Sequence, residues 1–157
     1  MDGGGGFVVR PVAHVRGGRT EATKDGWGES RARIELVAGL FGPDALAGLA
    51  DHSHLEVVWL FHLHADEATE TGARHPRGRP DWPRVGILSQ RARMRPNRIG
   101  VSICEIVSVG TDSIEVRALD AVDGTPVLDI KPVWSGNRPR GDFREPQWAK
   151  ELMRDYW

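Results

Sequence analysis

Eight arginines lie between residues 74 and 98, at positions 74, 77, 79, 84, 91, 93, 95 and 98, and Asp81 is the only acid among them. A one-signed run of guanidinium groups suits phosphate or carboxylate, because each planar fork offers paired donors to two oxygens. Its last part, Arg93 to Ser102 (RMRPNRIGVS), is stiffened from within. Pro96 fixes its own φ and holds Arg95 extended, Asn97 favours a turn, and Gly100 admits close backbone approach. A solvated basic loop is the plainer alternative for any one of these arginines.

Leu119 to Pro132 (LDAVDGTPVLDIKP) is a second concentration of polar chemistry, with Asp120, Asp123 and Asp129 around the turn Asp123-Gly124-Thr125-Pro126. Carboxylates there can accept ribose hydroxyls or hold a cation, and exposed backbone groups can read an adenine edge. Turn capping explains Asp123 equally well. A third candidate is the pair of His-x-His spacings, His52/His54 and His62/His64. On strands, each pair would share one face, and Asp66 or Glu67 would complete a cupin-like metal site. A fourth reading is a non-catalytic RNA-binding module, in which the arginine loop meets phosphates and Trp27, Trp59 or Trp82 stack on bases.

Short strands must position these groups. Arg31 to Leu36 alternates, with Ala32, Ile34 and Leu36 on one side and charged residues on the other, which is a half-buried strand. Phe7 to Val15, Leu55 to His64, Val85 to Ser89, Val101 to Val109, Ser113 to Leu119 and Val127 to Pro132 add β-branched or apolar runs between turn residues. Gly110-Thr111-Asp112 is a tight turn joining two of them. Pro43 to Leu49 suits one or two helical turns, and Ala65 to Pro83 is a long excursion of the kind that carries function. Trp148, Leu152 and Tyr156 stand four apart, on one face of a C-terminal helix.

The expected fold is therefore mainly β: a small closed or nearly closed antiparallel barrel over residues 7–140. A flexible leader at 1–6 precedes it, and a helical tail at 141–157 packs on the barrel or on a partner chain. The 157 residues can bury a core without staples, and 39% hydrophobic with 27% charged residues is ordinary for a folded domain. A net charge of −1 excludes nucleic-acid binding by bulk electrostatics, so any such role needs a local patch. Cys104, the single cysteine, excludes a disulfide framework and favours a reducing compartment. No run approaches the roughly 20 apolar residues of a membrane span, and a cytoplasmic location is expected.

In their order along the chain, the two segments resemble the TsaA/TrmO family, S-adenosylmethionine-dependent methyltransferases that act on N6-threonylcarbamoyladenosine beside the tRNA anticodon. The resemblance covers residues 8 to 138. It is carried by His14-Val15-Arg16, Gly48-Leu49 to Ser53-His54 to Phe61-His62, Arg84-Val85-Gly86, Arg91, Arg95-Pro96-Asn97, Ile99-Gly100 and Leu119-Asp120 through Pro132. The chain departs from the family pattern at Ala92, Met94 and Arg98. The family implies a β-barrel rather than a Rossmann sheet. In agreement, the only glycine cluster, Gly3 to Gly6, precedes the first strand instead of following one.

The resemblance implies an S-adenosylmethionine site at Asp25, Gly26, Trp27, His62, Leu63, Arg91, Val101, Leu119, Asp120, Ala121, Val122 and Asp123, and no metal. It implies tRNA as substrate, met by Arg93, Arg95, Asn97 and Arg98, and a homodimer, for which the Trp148/Leu152/Tyr156 face offers one seam. A nitrogen conjugated to a carbonyl is a poor nucleophile, so a neighbouring group would assist proton loss. His62 and Asp120 are the candidates.

Overall fold

Along Arg31–Leu36, His54–Leu60 and the first half of Ile99–Val109, buried residues alternate with more exposed ones, because one side of the strand faces the inside of a barrel and the other faces solvent. The computed structural model describes residues 5–64 and 67–157. Its strands are β1 (Ala13–Arg16), β2 (Arg31–Leu36), β3 (His54–Leu60), β4 (Ala73–Arg74), β5 (Val85–Gly86), β6 (Ile99–Val109), β7 (Ser113–Arg117) and β8 (Pro126–Pro132), followed by helix α1 (Gln147–Met153). Six of them close into a barrel in the order β1-β2-β7-β6-β3-β8, and β8 returns to pair with β1. All its pairings are antiparallel. The mainly β architecture with a small closed barrel, short helical turns and a C-terminal helix is as expected.

The barrel is filled by Val15, Ile34, Leu55, Val57, Trp59, Ile114, Val116 and Val127, with Cys104 among them. Each such side chain contributes about 1.5–3 kcal/mol of burial. Burial also pushes the Cys104 thiol up to about 12. Cys104 is a small core hydrophobe, with no nucleophilic role at neutral pH.

Gly100 faces Trp59 across the β3–β6 ladder. A Cβ there would stand 2.6 Å from the indole. The close approach that this glycine permits is thus made by the Trp59 ring.

Several expected elements are shorter than their apolar runs. Phe7 to Val9 is exposed, and among the described residues pairing begins only where Val12 N–H reaches Val127 O at 2.8 Å. The run Leu55 to His64 is not one strand. β3 ends at Leu60, where its partner β6 begins, and His62–His64 forms a 3-10 turn. Only Val85-Gly86 of Val85 to Ser89 is strand, and it pairs with β4 outside the barrel. Pro43 to Leu49 forms turns, with a single 3-10 turn at Leu49–Asp51.

Candidate functional site

The ring order decides where the polar segment must go. β7 pairs with β2 and β6, and β8 pairs with β3 and β1, so the two strands lie on opposite sides of a six-stranded ring. Their connection, residues 118–125, therefore crosses the barrel mouth. Leu119, Ala121, Val122 and Thr125 are consequently buried as a plug. Gly124 sits at φ 82° in the turn closed by Thr125 N–H to Val122 O, a position glycine occupies without strain. Asp123 accepts the Gly17 N–H at 2.8 Å, which makes its side chain a cap for the neighbouring loop.

Asp120, between Leu119 and Ala121, turns to the rim, where both its oxygens are engaged. Ser102 Oγ of β6 donates to Oδ1 and the Tyr156 hydroxyl donates to Oδ2. Ser102 in turn accepts from Trp59 Nε1 at 2.9 Å. Two donors on one carboxylate fix its orientation and stabilise its charge.

A small recess of about 40 Å³ opens beside it, lined by Trp59, Phe61, His62, Leu63, Asp120, Val122 and Thr125. His62 is brought there by the end of β3: Phe61 N–H donates to Arg98 O at 2.9 Å, and the chain then turns. Burial, with His64 and His14 nearby, holds the His62 imidazole below its ordinary value, so it is neutral at pH 7.

Of the residues expected at the site, the structure gathers His62, Leu63, Asp120 and Val122 around one recess. Arg91 and Val101 meet each other through Arg91 Nη2 donating to Val101 O at 2.6 Å. Arg91 and Arg77 are both near enough to oppose the upward shift of the Tyr156 phenol. Asp25, Gly26 and Trp27 sit at the edge and are occupied by the chain itself. The Asp25 carboxylate takes both terminal nitrogens of Arg77, at 3.1 and 2.8 Å, which holds it below its ordinary value. The N–H groups of Gly26 and Trp27 go to Asp155 and Tyr156.

The arginine loop is stapled rather than free. Arg95 donates to Gln90 O at 2.9 Å and Arg98 to His64 O at 3.1 Å, whereas Arg93 gives its fork to Glu67 at 3.1 Å. Arg98 takes a left-handed φ of 51°, a region in which the Cβ of a non-glycine residue is crowded. Asn97 is exposed at the tip.

Ser102, Tyr156 and Arg77 also lie here: Ser102 ends the Arg93 to Ser102 segment and Arg77 belongs to the arginine run, but neither had a role of its own in the sequence, and Tyr156 read as packing.

The rival readings lose their geometry. His52 precedes β3 and His62 follows it, so neither pair shares a strand face. His64 pairs with Glu67 at 3.0 Å, and Asp66 lies outside the described residues. Among the described residues no three His, Cys, Asp or Glu side chains are grouped to hold a metal. Trp27, Trp59 and Trp82 are 2%, 5% and 5% exposed, too buried to stack on bases.

Whether these residues suit an adenosyl group can be judged at the plug. Among the described residues, no hydrogen bond engages the backbone of Leu119, Asp120 or Ala121, although two of the three are buried. Unpaired backbone donors and acceptors at a barrel mouth, beside a fixed carboxylate, suit a base edge and a ribose. The recess itself has room for little more than a water, so most of any such ligand would lie across the open rim.

The family described as the tRNA-methyltransferase O N-terminal domain matches residues 22–136. The tRNA (adenine(37)-N6)-methyltransferase of Escherichia coli (strain K12) is 36% identical over 107 residues, 66% of this chain and 45% of that protein. A probable S-adenosyl-L-methionine-binding protein of Methanothermobacter thermautotrophicus is 34% identical over 130 residues, 80% of this chain and 89% of that protein. A crystal structure of TrmO from Pseudomonas aeruginosa superimposes with a TM-score of 0.71 at 28% identity, covering 88% of this chain and 61% of that one. The chain thus spans less than half the length of the Escherichia coli relative.

Proposed function

Because the chain belongs to the tRNA-methyltransferase O N-terminal domain family, we propose that it transfers a methyl group from S-adenosylmethionine to the N6 nitrogen of an adenosine in tRNA. The nucleoside we favour is N6-threonylcarbamoyladenosine beside the anticodon. The observation that carries the reading is Asp120, held by two hydroxyls at a barrel mouth beside a neutral His62 and an unpaired stretch of plug backbone.

When bound, the cofactor supplies an electrophilic methyl on a sulfonium. The residues that would hold it are the backbone of 119–121, Asp120, His62, Leu63, Val122, Arg91 and Val101, with 25–27 at the edge. Asp120 is a preorganised negative charge and acceptor, and such fixed electrostatics are worth several kcal/mol when charge moves at the reacting centre. With a donor already on each oxygen, Asp120 is the weaker candidate for taking a proton. His62 is the better one: its neutral imidazole can accept the proton from the N6 nitrogen. Arg95 and Arg98, which pair with no carboxylate among the described residues, would meet tRNA phosphates with Asn97 at the tip.

We place the protein in the cytoplasm, where tRNA is modified, and propose a homodimer. Supporting this is a stripe on the outer face of β6, where Ile99, Val101, Ile103 and Val107 are exposed. Trp148, Leu152 and Tyr156 are half-buried on their own chain, so the β6 stripe replaces that face as the seam. An Ile103→Glu protein is expected to be monomeric by light scattering.

Calorimetric titration with S-adenosylmethionine tests the cofactor. Mass spectrometry of threonylcarbamoyl-modified tRNA incubated with protein and cofactor tests the acceptor: a gain of one methyl supports the reading. Tight cofactor binding with no methylated nucleoside would overturn the acceptor but keep the site.

A further inference from the structure

Residues 147–157 run back to the barrel mouth as a strap, fixed by its backbone. Gly26 N–H donates to Asp155 O at 3.0 Å and Trp27 N–H to Tyr156 O at 2.7 Å, and Trp82 Nε1 donates to Glu151 at 2.8 Å. At Gly28 the approach is so close that a Cβ would stand 2.6 Å from the Trp157 carbonyl carbon. Yet no strap residue belongs to the buried core cluster. Docking therefore does little for the barrel interior.

What it delivers is one hydroxyl. Tyr156 reaches Asp120 across 36 positions of sequence, and burial together with the Asp120 charge raises its phenol far above the ordinary value. It is a donor throughout the working pH range.

We propose that Tyr156 is a positioning residue for the Asp120 site, and that docking of strap 147–157 and binding of the cofactor are one coupled equilibrium. This rests on the S-adenosylmethionine reading above. With Ser102 on one oxygen and Tyr156 on the other, Asp120 has a single orientation, and its remaining lone pairs face the mouth. A ligand that uses those lone pairs binds the docked form better, so it must also tighten the strap, because coupling between two sites is reciprocal.

Two variants of the full chain separate positioning from packing. Tyr156→Phe keeps the ring and the backbone hydrogen bonds but removes the donor. Gly28→Ala leaves Tyr156 and Asp120 intact but pushes the strap away. Amide hydrogen exchange at Gly26 and Trp27 reads docking directly, with and without S-adenosylmethionine, and methyl transfer to tRNA reads the site.

In wild type, cofactor should slow exchange at both amides. In Tyr156→Phe, exchange without cofactor should quicken only modestly, because the backbone hydrogen bonds and the ring remain, the cofactor-induced slowing should vanish, and kcat should fall by more than that loss of protection, about tenfold or more, as for loss of a hydrogen bond to a charged group. Gly28→Ala should lose both the protection and the rate. Cofactor that binds wild type without slowing the two amides overturns the coupling. A Tyr156→Phe protein that turns over like wild type, or whose rate falls only in step with lost protection, overturns the positioning role. Wild type that does not bind S-adenosylmethionine removes the underlying reading and this inference with it.

Discussion

The plug at residues 118–125 and the arginine loop at residues 91–98 both bring charge to the rim, and they are built on opposite principles. In the plug, Asp120 stands between buried neighbours with a side-chain hydroxyl on each oxygen. In the loop, Arg91, Arg95 and Arg98 are each pinned to a backbone carbonyl, whereas Arg93 is paired with Glu67. A carbonyl fixes the place of a guanidinium and leaves its net charge; a carboxylate fixes it and cancels the charge. The plug is therefore built for geometry and the loop for field.

The largest expected effect is at the plug. Asp120→Asn keeps the shape and removes the charge, and methyl transfer should fall by about a hundredfold or more, with the melting temperature nearly unchanged. Wild-type turnover would reduce the plug to scaffolding. Next, Gly100→Ala forces a Cβ into the Trp59 indole and should destabilise the protein by about 1–3 kcal/mol, visible as a lower denaturation midpoint. No loss would mean that the Trp59-Ser102-Asp120 chain is looser than it is drawn.

The loop should respond more weakly and in a graded way. Arg95→Ala is expected to lower tRNA affinity at every sequence and to reduce the salt dependence of binding by about one unit of slope. Arg93→Ala should do less, because Glu67 already neutralises that charge. Equal effects in filter binding across a salt series would erase the distinction between pinned and paired arginines.

The smallest effect concerns pH. His62 has a folded value below its ordinary 6.5, so the acid limb of the rate profile should lie below pH 6.5. The unfolded chain takes up this proton first as pH falls, so the stability contribution is whole above 6.5 and declines as pH drops toward the folded value. Thermal melts of wild type and His62→Gln across pH 5–8 measure the difference. A wild-type rate that already falls with a midpoint above 6.5 would remove His62 as the base.

The amino-acid pattern alone determined much of this molecule. The alternation in Arg31–Leu36 marks a half-buried strand, and glycines, prolines and the Gly110-Thr111-Asp112 turn mark most of the breaks, because burial of one strand face is a local, period-two property. The segments Arg93 to Ser102 and Leu119 to Pro132 were sufficient for the family, since their residue types and order are specific without any contact being known. What tertiary structure alone decided depends on closure. That β3 stops at Leu60 follows from where β6 begins, which no apolar run reveals. That 118–125 must plug the mouth follows from β7 and β8 falling opposite each other in the ring. The partners of Asp120 come from β6 and from a strap 36 residues further on. Period-two patterning says which face of a strand is buried but not which strands become neighbours, and hydrogen bonds across the mouth exist only once the ring has closed.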